Sequence, residues 1–206
     1  MLSAFVVLMV VNLHFQKIDE SWCGVALEES RIFATTFASN EKDVFRSLLR
    51  ELPYNTIFQV VQENDSLTKE ILRAIEATIE GRDVSFCFQF TMNRLSSYAQ
   101  RVLRLTSLIP TGYTTTYGGL AKVAGGSPRS VGRVMATNPF APLIPCHRVV
   151  AADLALCGYG GGLTTKWNIL RKEDRNFSRV LEVKINGKTL KLFPITMLRP
   201  NKIFAK

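Results

Sequence analysis

Cysteine is sparse in this 206-residue chain: only Cys23, Cys87, Cys146 and Cys157 occur, and no two are spaced as a CxxC pair. Four scattered thiols make no disulfide framework, and a reducing, cytoplasmic setting is the expectation. Histidine is scarcer still, with His14 and His147 far apart. In the N-terminal half only His14 and Cys23 offer themselves as metal ligands, fewer than a closed zinc site needs, so no metal is expected. The opening apolar stretch, MLSAFVVLMVVNLHF, is shorter than a membrane span and lacks both a basic leader and a small-residue cleavage pattern. A buried first strand is preferred over a signal anchor, and no membrane partner is expected. A phosphate-cradling loop is missing as well, because GYGGGL (Gly158–Leu163) follows a segment too irregular for a dinucleotide fingerprint. No cofactor is expected.

Acidic residues are unevenly withheld. Residues 1–90 hold 8 Lys/Arg against 13 Asp/Glu, a net of −5. Residues 91–170 hold 8 against 1, the single acid being Asp153, and residues 171–206 hold 10 against 3, a net of +7 in each. An acidic front and a basic back direct the back towards a polyanion, and nucleic acid outranks a merely soluble basic surface.

Three segments follow from the pattern. Residues 1–90 read as an α/β structural domain: strands at Ala4–Leu13, Gly24–Leu27, Arg31–Phe37, Thr56–Val61 and Val84–Phe90, with helices at Lys42–Leu52 and Ser66–Ile79. Ser66 is the expected N-cap of the second helix. Residues 91–173 change to helices and glycine-marked turns. Ser97–Leu108 is expected to turn Val102, Leu103, Leu105 and Leu108 towards a core. Tyr117–Val123 makes a short helix, Gly125-Gly126 breaks it, and Ser127 with Pro128 starts another that runs to Ala136. Helix, glycine turn and capped helix make a helix-turn-helix signature, and Arg129 and Arg133 on its second helix favour DNA over an ordinary helical hairpin. Residues 174–206 are a basic extension in which Asn186-Gly187, between two alternating runs, favours a type I′ hairpin. Whether that hairpin extends a DNA contact or is a solvated edge stays open.

Chemistry centres on IPCHRVV (Ile144–Val150). A thiol near its free pKa is mostly protonated at neutral pH, so a nucleophilic Cys146 needs a base. His147 is adjacent, but neighbours in an extended segment point apart, and only a tight turn brings imidazole to sulfur. Pro145 restricts the backbone before the cysteine. Asn138-Pro139 supplies an upstream turn, and Tyr159 in the glycine loop can cover a pocket. On these features alone Cys146 is evenly balanced between a packing residue and a nucleophile.

IPCHRVV together with Asn138-Pro139, the helix-turn-helix and GYGGGL…K…LRKE resembles the O6-alkylguanine-DNA alkyltransferases, the methylated-DNA–protein-cysteine methyltransferases. The likeness runs continuously from about Ser97 to Glu173 and is only an outline in the first 90 residues. It implies an α+β chain, with a mixed α/β, ribonuclease H-like N-terminal domain. A mainly helical winged-helix/helix-turn-helix domain carrying the cysteine would follow. It also implies DNA repair by stoichiometric transfer of an alkyl group from O6 of guanine, or O4 of thymine, to Cys146 after base flipping. By similarity His147, through a water, takes the thiol proton, Glu173 orients the imidazole, and Tyr117 donates to the leaving guanine. Asn138, Pro145, Arg148, Tyr159 and Gly160 form the base pocket and active-site loop. Arg129 fills the hole in the stack from a helix in the minor groove, and Thr116, Ser127, Ser130 and Arg133 join it in binding double-stranded DNA. A monomer is implied. Cys157 stands where the family often has glycine, and the tail is longer and more basic than the likeness requires. A damage-binding module without transfer and a Cys-His hydrolase are the competing readings. The first lacks the cysteine, and the second wants an oxyanion hole that the sequence does not offer.

Overall fold

The computed structural model describes residues 10–84 and 87–199. The chain divides into two units, Met1–Glu76 with Phe86–Thr91, and Ala77–Ser85 with Met92–Lys206. Each has its own four-stranded sheet with helices beside it, so the class is α+β.

In the first unit β1 (Val10–Ile18), β2 (Ser21–Glu28) and β3 (Arg31–Ala38) form an antiparallel meander. Its two-residue turns carry Asp19 and Glu29 at φ 49° and 54°. After α1 (Glu41–Glu51), β4 (Ile57–Val60) pairs parallel with β1, and the order is β3-β2-β1-β4. Asn40 caps α1 by accepting from the Asp43 amide at 2.9 Å. Val44 and Leu48 of α1 are buried with Val11, Leu13, Ala26, Phe33 and Ala34. Strand β2 is buried without a break from Cys23 to Leu27, as a strand covered on both faces must be. On one face the approach to α1 is so close that only glycine fits: a Cβ on Gly24 would stand 2.4 Å from Val44 Cγ1. On the other face burial, reinforced by Glu76 of α2 (Ser66–Ile79), pushes the Cys23 thiol up to about 12. Cys23 is therefore an inert packing residue.

Several expectations need correcting. Ser66 opens α2 but does not cap it. Asp65 does, accepting from the Thr68 amide at 2.7 Å through its side chain and from Lys69 through its carbonyl. Of the strand expected at Val84–Phe90, residues 85–86 lie outside the described residues. The rest contributes only a parallel bridge between Ile32 and Phe90. The start of the expected first strand, 4–9, also lies outside them.

The second unit is mainly helical over residues 91–173 and also holds a sheet. Its sheet has the order β6-β5-β8-β7, built from β5 (Tyr113–Thr116), β6 (Val149–Val150), β7 (Leu181–Ile185) and β8 (Lys188–Pro194). Two of these strands come from the basic tail, whose turn residues Asn186 and Gly187 have φ of 48° and 74°. β8 pairs with β5, so this hairpin is part of the sheet. α3 (Ser97–Thr106) stops two residues before its expected end, and Leu108, past the last turn, is 57% exposed instead of facing the core. α4 (Tyr117–Ala124), the Gly125-Gly126 turn and α5 (Pro128–Ala136) make the helix-turn-helix pair, and α6 (Gly162–Glu173) closes the core. No helix among the described residues is long and apolar enough to cross a membrane.

Gly24→Ala should destabilise the first unit by about 1–3 kcal/mol, because Val44 is β-branched and cannot swing clear. Denaturant unfolding followed by Trp22 emission, with Trp167 replaced by Phe, measures it. An unchanged midpoint would show that α1 shifts freely.

Candidate active site

The site is built on a turn. Pro145 precedes a single 3₁₀ turn, Cys146–Arg148, and β6 follows at once. The turn is closed by Arg148 N–H to Pro145 O at 3.0 Å, and Cys146 N–H bonds Ile144 O at 2.8 Å. Asn138 holds this loop from inside: its Nδ2 donates to Ile144 O at 2.8 Å and its Oδ1 accepts from Phe140 N at 3.1 Å. The turn removes the extended geometry that would have separated the Cys146 and His147 side chains.

All three turn residues are buried, His147 completely. Its Nε2 lies 2.9 Å from Glu173 Oε1, at the end of α6. Burial alone would raise the Glu173 carboxyl, but His147 and Arg148 more than offset that and hold it at about 2. It is therefore a carboxylate at neutral pH, which fixes the proton on His147 Nε2 and leaves Nδ1 as the acceptor. Nδ1 is buried and has no hydrogen-bond partner among the described residues. Burial also keeps the ring neutral, lowering its pKa against the pull of Glu173, with Arg148 and Lys166 adding to the fall. This is the tautomer and charge a base requires.

Arg148 shares the turn, but its guanidinium is committed to the scaffold. It donates three hydrogen bonds of 2.7–3.1 Å to the Glu173 carboxylate. It gives one more to Ile109 O at 2.6 Å and one to Thr111 Oγ1 at 3.0 Å. Glu173 thus orients His147 while Arg148 fixes Glu173.

Cys146 is 6% exposed. Burial raises its pKa, against a hydrogen bond from Asn138 and the charge of Lys166. Lys166 is fully buried, and its Nζ donates to Val149 O at 2.6 Å and Cys157 O at 2.8 Å. Burial brings that ammonium down to about 8, with Cys157 and Cys146 countering. Around the cysteine turn two buried cations, Arg148 and Lys166, thus accompany one buried anion, Glu173. The missing negative charge is what a Cys146 thiolate would supply. Lys166 was not among the sequence-derived site residues. It is the K of GYGGGL…K…LRKE, and its helical phase was a further signal, a lysine three, four and seven residues before Ile169, Leu170 and Glu173 on the buried stripe of α6.

Tyr159 and Tyr117 flank this centre. The Tyr159 ring meets His147 edge-on at 6.4 Å, and burial raises its hydroxyl well above the ordinary value. Gly160 follows it in the exposed loop. Tyr117 opens α4; burial raises its phenol, and the neighbouring Cys157 and Cys146 add to the rise, so it stays protonated. Gly132 of α5 lies against it, the position of a Cβ there being 3.9 Å from Tyr117 Cε1. Arg129, exposed one turn earlier, shares that side of the helix, and Arg133 is exposed beside it. Thr116, Ser127 and Ser130 serve as caps: Thr116 accepts from Gly119 N, and Ser127 with Ser130 forms the capping box of α5.

Comparison with known proteins agrees with this geometry. Residues 97–175 match the family model of the 6-O-methylguanine DNA methyltransferase DNA-binding domain. The methylated-DNA–protein-cysteine methyltransferase of Methanocaldococcus jannaschii is 30% identical over 160 residues, covering 78% of this chain and 92% of that one. The chain belongs to the methylated-DNA–protein-cysteine methyltransferase family. Another member, from Methanothermobacter thermautotrophicus, is 40% identical over 106 residues, 51% of this chain and 60% of that relative. Its alignment therefore spans three fifths of that protein, whereas the first spans nearly all of its partner. Among solved structures, the O6-methylguanine-DNA methyltransferase of Pyrococcus kodakaraensis aligns with a TM-score of 0.61 and 26% identity. That alignment covers 79% of this chain and 98% of that one. The family model takes in the helix-turn-helix, the cysteine turn and Glu173, and stops before the β7–β8 hairpin.

Glu173→Ala should destabilise the second unit by about 3–5 kcal/mol, because it strands the buried Arg148 guanidinium. Denaturant unfolding followed by Trp167 emission, with Trp22 replaced by Phe, measures it. A loss below about 1 kcal/mol would mean that Arg148 finds other partners.

Proposed function

We infer that this chain repairs duplex DNA by taking an alkyl group from O6 of guanine, or from O4 of thymine, onto Cys146, one group per molecule. The observation that carries the reading is the ordered pair beside the cysteine: Glu173 holds His147 Nε2, so Nδ1 remains as acceptor for the thiol proton. The proton passes to His147, directly or through one water, and the thiolate attacks the O6-alkyl carbon in line. The carbon–oxygen bond breaks, its electron pair stays on guanine, and a proton from Tyr117 accompanies it. The thioether is stable, so the reaction ends there. No step calls for a metal or an organic cofactor.

The rest of the chain delivers the base. The order β3-β2-β1-β4, with three antiparallel strands and a parallel fourth, supports a ribonuclease H-like first domain over residues 1–90. The paired helices and following sheet support a winged-helix reading of the second, over 91–173, with 174–206 as its extension. Arg129 fills the place of the flipped base from the minor groove, an insertion that offsets the few kcal/mol of unstacking. Thr116, Ser127, Ser130 and Arg133 line the DNA face. Asn138, Pro145, Arg148, Tyr159 and Gly160 frame the pocket, with Asn138 and Arg148 acting through the loop they hold. Every group comes from one chain, and a monomer suffices.

Incubation with a duplex containing O6-methylguanine should add one methyl to the intact mass of the protein and none to Cys146→Ala. Tight binding with no mass change would instead favour a damage-binding module, and repeated turnover a hydrolase. With free O6-benzylguanine, the acid limb of the rate profile should fall below pH 6.5, the ordinary histidine value. A buried base whose pKa is lowered stays neutral further into acid. A limb above that value would remove His147 as the base.

A further inference from the structure

Helix α3 carries no group of the proposed chemistry, yet its first turns fasten the helix-turn-helix on both sides of its turn. Tyr98 Oη lies 2.8 Å from Ser130 Oγ on α5. Ser130 already donates to Ser127 O at 2.7 Å and accepts from Ser127 N at 2.9 Å, so its one hydroxyl proton is used. Tyr98 must therefore be the donor, and its hydroxyl completes the capping box of α5. One helical turn along α3, Arg101 Nε donates to Ala124 O at 2.7 Å, the last residue of α4, and its guanidinium stands 5.6 Å over the Tyr98 ring. Between the two attachments the turn is pressed against the same phenol. A Cβ on Gly126, whose φ is 87°, would stand 2.7 Å from Tyr98 Oη.

We propose that Tyr98 and Arg101 are positioning residues for DNA repair, setting the entry of α5 and hence where Arg129 points. Arg129 is the second residue of α5, next to Ser130, so a shift of the cap moves it directly. The proposal rests on the reading of Arg129 given above. It predicts a division of labour: the cysteine turn is held by Asn138, Arg148 and Lys166, none of which touches this brace through the hydrogen bonds described here. A free nucleobase therefore needs the first set alone, and duplex DNA needs both.

The test measures single-turnover alkyl transfer by Tyr98→Phe, and by Arg101→Met as a second variant. Substrates are an O6-methylguanine duplex and free O6-benzylguanine, with melting temperature as a control. Transfer from the duplex should slow by about three- to tenfold, the value of one or two net hydrogen bonds, while the free-base rate stays unchanged. The loss should vanish when Tyr98→Phe is placed on Arg129→Ala, because the brace then has nothing to aim. Equal losses on both substrates, no loss on either, or a duplex loss that persists without Arg129 would each overturn the proposal. A free-base rate at the level of the parent protein leaves the cysteine chemistry standing whichever way the duplex result falls.

Discussion

One buried carboxylate organises the second unit. Glu173 ends α6 with no exposure, and its oxygens receive His147 and the Arg148 guanidinium. Because Arg148 also reaches Ile109 O and Thr111, this carboxylate joins three stretches of chain: the end of α6, the cysteine turn and the approach to β5. Burying an ion is costly, and the cost is met here because the Glu173 carboxylate and the Arg148 guanidinium pair with each other and with their neighbours. This pairing makes the carboxylate stiff, and a stiff carboxylate fixes which imidazole nitrogen carries the proton.

The cations around that carboxylate bear on how a cysteine with a raised pKa could react as proposed. A permanently ionised buried sulfur would need a compensating charge at all times. Here burial keeps the thiol protonated, and the positive charges of Lys166 and Arg148 are already in place for the deprotonation proposed above. Lys166 also has a mechanical part, since one ammonium clasps Val149 just after the turn and Cys157 at the start of the glycine loop. Cys157, where the family often has glycine, contributes its carbonyl to this clasp, and its thiol raises the neighbouring Tyr117.

Tyr117 links the cysteine turn to the helix pair. It follows β5 directly, begins α4, and lies against Gly132 of α5, so the strand that pairs with β6 also anchors the first helix. The basic hairpin adds two strands to the same sheet, and Thr115 Oγ1 donates to Lys191 O at 2.7 Å. What looked in sequence like an appended tail therefore supports the strand on which α4 is mounted.

Local signals were enough for much of this. Pro128 after Ser127 marks the start of α5, the glycine pair marks the turn, and the order of IPCHRVV with its flanking motifs marks the family, because each depends on neighbours within a few residues. Other features depended on contacts that spacing does not encode. Asp65 rather than Ser66 caps α2, and Leu108 is exposed, because helix ends are set by which side chain reaches the free amides and by where the last turn stops. The neutrality of His147, the commitment of Arg148 to the scaffold, the burial of Lys166 and the half-buried Tyr98–Ser130 bond all require segments distant in sequence to meet. The sequence by itself determined which side chains were available and the family to which they belong. Only the tertiary structure decided their protonation and their partners, because both follow from burial.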